Sequence, residues 1–171
     1  MAARSSVGGL LPGKTARKTS HFTADYDGVP VSGKWMHGSP VSGAEDDGWV
    51  YGRGTGDMKG SIASLLLALR ALQAAGTPPR LNVEVSFTAD EETDSLLGTG
   101  WLVKNAPIRP AFAVVMEGGE GSCVCCGHNG VVWLDVVVHG KAAHGSKPED
   151  GINAFENMAR LTLALEDHKR A

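Results

Sequence analysis

Acidic side chains stand in this sequence where cation binding or proton transfer could use them. The densest group is "ADEETD" at 89–94, with Asp90, Glu91 and Glu92 adjacent and Asp94 close behind. Asp57 sits in the glycine-rich "GRGTGDMKG", and Glu117 closes the apolar run "AFAVVME". Carboxylates ligate divalent cations and carry protons. Gathered in one place, they raise one another's pKa unless a cation neutralises them. The rival reading of "ADEETD" is a solvated turn that caps the next helix through Thr93 or Asp94. The run by itself leaves both readings open. Neighbouring residues of extended chain point to opposite sides. Glu91 and Glu92 can therefore serve different partners, one ligating and one facing a substrate.

The elements that must position these acids follow from periodicity. "LNVEVSF" alternates Leu81, Val83, Val85 and Phe87, the period of a β-strand over 81–88 with one buried face. "SIASLLLALRALQAA" (61–75) reads as a nearly all-apolar helix that packs between layers, stopped by Gly76, Pro78 and Pro79. A helix near 95–104 and a strand over 111–117 follow. This order predicts an α/β fold with a mainly parallel sheet, and such sheets bind ligands outside the carboxyl ends of their strands. The acidic turn and Glu117 both fall there.

Beyond Gly127 the texture changes. "GVVWLDVVVHG" (130–140) reads as a long strand, and 151–167 as an amphipathic helix with Ile152, Phe155, Met158, Leu161 and Leu165 on one stripe. One strand and one helix cannot bury their faces alone, so this unit reads as incomplete. At the other end, residues 1–24 carry Arg4, Lys14, Arg17 and Lys18 and no acid. "TARKTSHFTA" is polar where a buried parallel strand is apolar, so an irregular N-terminus is expected up to residue 24, with a transit-peptide composition as the rival reading.

The formal charge of −3 over 171 residues, without a basic stripe, argues against nucleic acid as a partner. No apolar run approaches the ~20 residues of a membrane span. Cys123, Cys125 and Cys126 lie within "CVCC", a poor disulfide framework that points to a reducing, cytoplasmic setting. They read as strand or hairpin cysteines, or with His128 as a small metal site. The glycine loop fits no phosphate cradle: Asp57 stands where the dinucleotide fingerprint needs glycine, and Lys59 precedes Gly60 where the Walker loop needs Ser or Thr. There is no Gly-x-Ser-x-Gly nucleophile elbow.

Taken together, "DGVP", "GRGTGDMKG", "TADEE", "VVMEG" and "HGKAAHGSKPEDGINA" resemble, in order and spacing over residues 25–168, the dinuclear zinc amidohydrolases of clan MH. These include acetylornithine deacetylase, succinyl-diaminopimelate desuccinylase, aminoacylase and glutamate carboxypeptidase. The resemblance implies a zinc-exopeptidase type of α/β domain, with helices on both faces of its sheet, over 25–127. It further implies the start of an α+β lid or dimerisation domain over 128–171. Two divalent ions are implied, zinc in the family, with cobalt or manganese as substitutes. Asp57 would bridge them, Glu92 and Glu117 would each bind one, and Asp25 would also ligate, with Asp27 orienting it. Glu91 would be the general base. His144 would steady the oxyanion, often across a homodimer formed through the lid. The implied reaction is hydrolysis of the amide of a small N-acyl amino acid or peptide-like substrate, by a metal-activated water whose proton Glu91 takes and hands to the leaving amine.

Two departures qualify that expectation. The family has histidine where Asp25 stands, and carboxylate oxygen favours harder ions such as manganese. His21 is no simple substitute, since four residues of extended chain span about 13 Å. The sequence also ends at Ala171, inside the implied lid. The 171 residues are therefore expected to act as a weak or inactive hydrolase fragment. The alternative is a non-catalytic remnant that only folds or associates through its lid residues.

Overall fold

The computed structural model describes residues 5–118, 123–127 and 129–169. They form two compact units, one running to Val124 and one starting at Cys125.

In chain order the first unit contains β1 (Val7–Leu11), β2 (Thr15–Asp25), β3 (Ala44–Asp46), β4 (Trp49–Tyr51), α1 (Gly60–Ala74), β5 (Leu81–Thr88), α2 (Thr99–Asn105) and β6 (Phe112–Val115). Four strands make one sheet in the order β1-β5-β2-β6, and β3 and β4 form a separate hairpin. β2 runs parallel to both β5 and β6, while β1 is antiparallel on the far edge of β5. The fold is thus mixed α/β around a mainly parallel sheet. The carboxyl ends of β2, β5 and β6 lie along one edge, and each leads into an acidic segment.

The N-terminus differs from the expectation of irregular chain. Residues 7–25 supply two strands, and β2 is interior to the sheet. Its polarity is accommodated by cross-strand bonding. His21 Nδ1 lies 2.9 Å from Glu84 Oε2, and Nε2 lies 2.9 Å from Ser86 Oγ. Ser86 Oγ donates to Thr23 Oγ1 at 2.9 Å, and Ser20 Oγ donates to the Asn82 carbonyl at 3.1 Å. A buried polar group so partnered avoids its desolvation penalty. On β5 the alternation has the expected period, but the better-buried side is the hydroxyl one. Ser86 and Thr88 are 3% and 1% exposed, while Val83, Val85 and Phe87 are half-buried.

α1 is stopped by Gly76, which turns the chain at φ +59°. Leu65 is buried, whereas Leu66 and Leu67 are exposed, so α1 is not packed between two layers as its composition suggested. Its apolar character extends around more of its surface than the described unit covers. The helix expected near 95–104 begins only at Thr99, because a tight turn occupies the residues before it.

The second unit contains α3 (Ala154–Lys169) and an isolated antiparallel bridge, Lys141 to Ile152. The strand expected over 130–140 is absent: these residues form no ladder, and Val131, Trp133, Leu134 and Val137 are exposed. β-branched composition favours a strand only where another strand completes its hydrogen bonds. Along α3, Phe155 and Leu165 are exposed while Met158 and Leu161 are partly covered. Cys123, Cys125 and Cys126 are exposed and outside any strand, and Cys125 Sγ donates to the Gly127 carbonyl. His128, the imidazole of the alternative cysteine metal site, lies outside the described residues.

Candidate metal centre

Asp25 ends β2 and is 5% exposed. Its amide donates to the sulfur of the fully buried Met58 at 3.4 Å. One residue on, the Tyr26 amide donates to the Thr88 carbonyl at 3.0 Å, which carries the β2–β5 pairing up to the acidic edge. Asp27 then reaches across. Its two carboxylate oxygens accept from the backbone amides of Glu91 (3.2 Å) and Glu92 (3.4 Å). Glu92 Oε1 in return accepts from the Val29 amide at 3.1 Å. Asp27 therefore orients the turn that carries Glu91 and Glu92.

That turn is set by Asp90, which has φ +73° and is 4% exposed. Its carboxylate accepts from Thr93 Oγ1 at 2.6 Å and from the Leu97 amide at 3.0 Å. The three adjacent acids thus divide: Asp90 turns inward to close the turn, and Glu91 and Glu92 are left for other partners. Neither Thr93 nor Asp94 caps α2, which begins at Thr99 without a side-chain cap. Gly98 lets the chain pass the strand end. A Cβ there would lie 1.8 Å from the Ala89 carbonyl oxygen.

Asp57 lies in the wide turn Thr55–Lys59 just before α1. Lys59 ties this turn to the end of β2 by donating to the Asp27 carbonyl at 3.1 Å. Gly54, at φ +79°, makes room for it, since a Cβ there would stand 2.3 Å from the ammonium.

The charges act on one another. Asp25 is raised above the ordinary aspartate value by burial, against an opposing backbone hydrogen bond, and further by Asp27, Asp57 and Glu92. Glu91 is raised by burial and by Asp25, Glu92, Asp27 and Asp57. Glu117 is pushed up to about 7 by burial, by a hydrogen bond with Asp57, and by Glu91, Asp57 and Asp25. A cation beside Glu117 would oppose the repulsion that contributes to this shift. Glu117 as a whole remains open to solvent, so repulsion from its neighbours is the part of its shift that a cation would relieve.

A cavity of about 390 Å³ opens beside these groups, lined by Asp25, Glu91 and Glu117 and by Thr23, Thr88 and Val115 among others. Among the described residues no three His, Cys, Asp or Glu side chains stand close enough to hold one ion as placed. The carboxylates are nonetheless near enough to act on one another's charge. Their donor atoms are all oxygens. Such a set fits hard divalent cations. In the second unit, His144 is exposed and its Nδ1 pairs with Ser146 Oγ at 2.9 Å.

Several contributors were not evident in the sequence. Asp90 and Lys59 act through local geometry that no residue pattern announces. The ladder of His21, Thr23, Glu84 and Ser86 did leave a signal. In "TSHFTAD" the polar residues at 19, 21, 23 and 25 match the polar positions 82, 84, 86 and 88, but only once the register of β2 on β5 is known.

A parallel-sheet α/β unit with carboxylates on four consecutive segments at one sheet edge is the architecture of a carboxylate-rich binding centre. The chain matches the model of peptidase family M20/M25/M40 over residues 21–164, and it belongs to that family. It is 36% identical over 155 residues to acetylornithine deacetylase of Proteus mirabilis, covering 90% of this chain and 36% of that protein. It is 33% identical over 159 residues to succinyl-diaminopimelate desuccinylase of Bradyrhizobium sp., covering 85% and 40%. It is also 33% identical over 144 residues to an uncharacterized metallohydrolase of Methanocaldococcus jannaschii, covering 80% and 35%. The chain thus spans 35–40% of the length of these curated relatives.

Proposed function

We propose that these residues form part of a metal-dependent hydrolase centre acting on the amide of a small N-acyl amino acid or peptide-like substrate. The observation that carries the proposal is the acidic edge, where burial and the neighbouring carboxylates of Asp57, Glu91 and Asp25 push Glu117 up to about 7. Asp25, Asp57, Glu92 and Glu117 would hold two divalent ions, zinc or, given the all-oxygen donors, manganese or cobalt. When bound, such ions lower the pKa of water and polarise a carbonyl. Glu91, already raised, takes the proton of the attacking water and delivers it to the departing amine. Asp27 keeps Glu91 facing the cavity by holding its backbone amide. His144, from the second unit, would steady the developing oxyanion, contributed across a homodimer.

In the proposed whole, 128–171 belongs to a lid or dimerisation domain, and helices cover both faces of the sheet. Among the described residues no helix is long and apolar enough to cross a membrane. The clustered exposed cysteines suit a reducing, cytoplasmic setting. With oxygen donors only, the 171 residues alone are proposed to turn over weakly or not at all. A second reading, an association module without catalysis, draws on the exposed apolar run at Val131, Trp133 and Leu134.

Calorimetric titration of the metal-freed chain with manganese, zinc or cobalt discriminates. Stoichiometric binding at micromolar affinity or better, lost in Asp57→Asn, supports the hydrolase reading. Absence of binding leaves the association reading. Asp25→His is expected to strengthen zinc binding about tenfold, since imidazole is the softer donor, with little gain in hydrolysis of N-acetyl amino acids.

A further inference from the structure

Asp57 is followed by Met58 and Lys59, and both side chains reach the end of β2. The Met58 sulfur accepts from the Asp25 amide at 3.4 Å, and the Lys59 ammonium donates to the Asp27 carbonyl at 3.1 Å. The two ties land on either side of Tyr26, and both start from the residues directly after Asp57. We propose that Met58 and Lys59 are positioning residues, a two-point clamp that sets the Asp57 turn against the Asp25–Asp27 end of the strand.

Strand geometry accounts for the first tie. Amides of successive strand residues point to opposite neighbours. The Tyr26 amide bonds the Thr88 carbonyl on β5, so the Asp25 amide points the other way, toward β6. There the pairing ends with Thr23 opposite Val115, and the Met116 amide on the Thr23 carbonyl closes it. The buried Asp25 amide would otherwise carry the cost of an unmet donor. The thioether, near the end of an unbranched and adaptable side chain, supplies the acceptor. Leucine in its place would fill the space and accept nothing.

The second tie is a backbone tie made by a charge. Lys59 makes no ion pair among the described residues, although Asp57 lies two residues before it and Asp27 carries the carbonyl it holds. The Asp27 carboxylate is thereby left to the amides of Glu91 and Glu92. Glycines make the niche: a Cβ at Gly54 would collide with the ammonium, and one at Gly28 would touch it at 4.0 Å. The Lys59 amide also donates to the Gly54 carbonyl at 2.9 Å, closing the turn on itself. A shift of Lys59 therefore moves the turn and Asp57 with it. That the clamp serves a bound cation rests on the hydrolase reading; the clamp itself does not.

The test uses the whole 171-residue chain. Without metal, amide exchange is followed by NMR. Met58→Leu is expected to speed exchange of the Asp25 amide about fivefold, the loss of one weak hydrogen bond, while the Tyr26 amide keeps its rate. Lys59→Met keeps an unbranched stem at an exposed position, and serves if Met58→Leu does not fold. It leaves the Asp25 amide and its acceptor intact, yet is expected to speed that exchange about twofold or more, because the released turn carries the sulfur away. Asp25 exchange unchanged in Lys59→Met shows two separate contacts and overturns the clamp. An equal rise at Tyr26 in Met58→Leu shows lost packing and overturns it too. Calorimetry with manganese is expected to show about tenfold weaker binding in either variant and none of that loss in Val85→Ala, which is destabilised away from the edge. Binding as tight in both clamp variants as in the unaltered chain overturns the positioning role. If even the unaltered chain binds no manganese, the hydrolase reading fails, and the exchange rates alone decide the clamp.

Discussion

β2 and β5 lie side by side, paired in parallel from Thr19 opposite Asn82 to Asp25 opposite Thr88, yet they are built differently. β5 alternates, with Leu81, Val83, Val85 and Phe87 to one side and polar residues to the other. β2 has hydroxyls and an imidazole for most of its length, with Phe22 and Ala24 as its apolar contribution near the site. Near the site the buried residues of both strands are nonetheless mostly polar: Ser20, His21, Thr23 and Asp25 on β2, beside Ala24, and Ser86 and Thr88 on β5. A central strand can be polar if its partner presents matching groups at matching register. Such a strand gains less from the hydrophobic effect and depends more on every bond being made.

That contrast can be broken at His21. His21→Leu leaves the part-buried Glu84 carboxylate and the buried Ser86 hydroxyl without their imidazole partner, and is expected to lower stability by about 1–3 kcal/mol in urea unfolding. His21→Leu combined with Glu84→Leu should recover most of that loss, because an apolar pair needs no partner. If the double variant is as unstable as the single one, packing and not pairing explains the strand.

Next in size is the cation. Manganese or zinc at about 100 times its dissociation constant should raise stability by about 2.7 kcal/mol, and chelation should reverse the gain. β2 and β5 together deliver Asp25, Glu91 and Glu92, so the gain should shrink in His21→Leu. Asp90→Ala removes a buried carboxylate that holds Thr93 and Leu97. It is expected to cost about 1–3 kcal/mol and to weaken metal binding, since the Glu91–Glu92 turn loses its anchor. Smallest is the apolar side of β5. Val85→Ala, at a half-buried position, should cost about 1 kcal/mol and leave metal affinity unchanged.

How much of this could be read beforehand followed from whether the signal was local. β5, α1, β6 and α3 announce themselves by apolar periodicity within a short window. β2 does not, because what makes it a strand is Glu84 and Ser86, 63 and 65 residues from the His21 they bond. The reverse holds at 130–140, where β-branched residues promise a strand but no described ladder completes it. At the site, the acids at the strand ends were legible from their positions and from their resemblance to a known family. The division of labour within "ADEETD" was not. That Asp90 turns inward depends on a positive φ and on the bare Gly98 beside Ala89, neither of which a list of acidic residues reveals.

The spacing of the ladder also bears on time. Its bonds join residues 62 to 65 apart, and the chain between them contains Asp27, the β3–β4 hairpin, Asp57 and α1. Bringing β2 to β5 therefore closes one long loop that carries Asp27 and Asp57, and its entropy must be given up before any ladder bond returns energy. Contacts of such range place folding on the slow side for small domains, about milliseconds to seconds. Until that closure Asp25 and Glu91 belong to separate stretches of chain, so the acidic edge has no half-built form and comes into existence in the same step as the sheet.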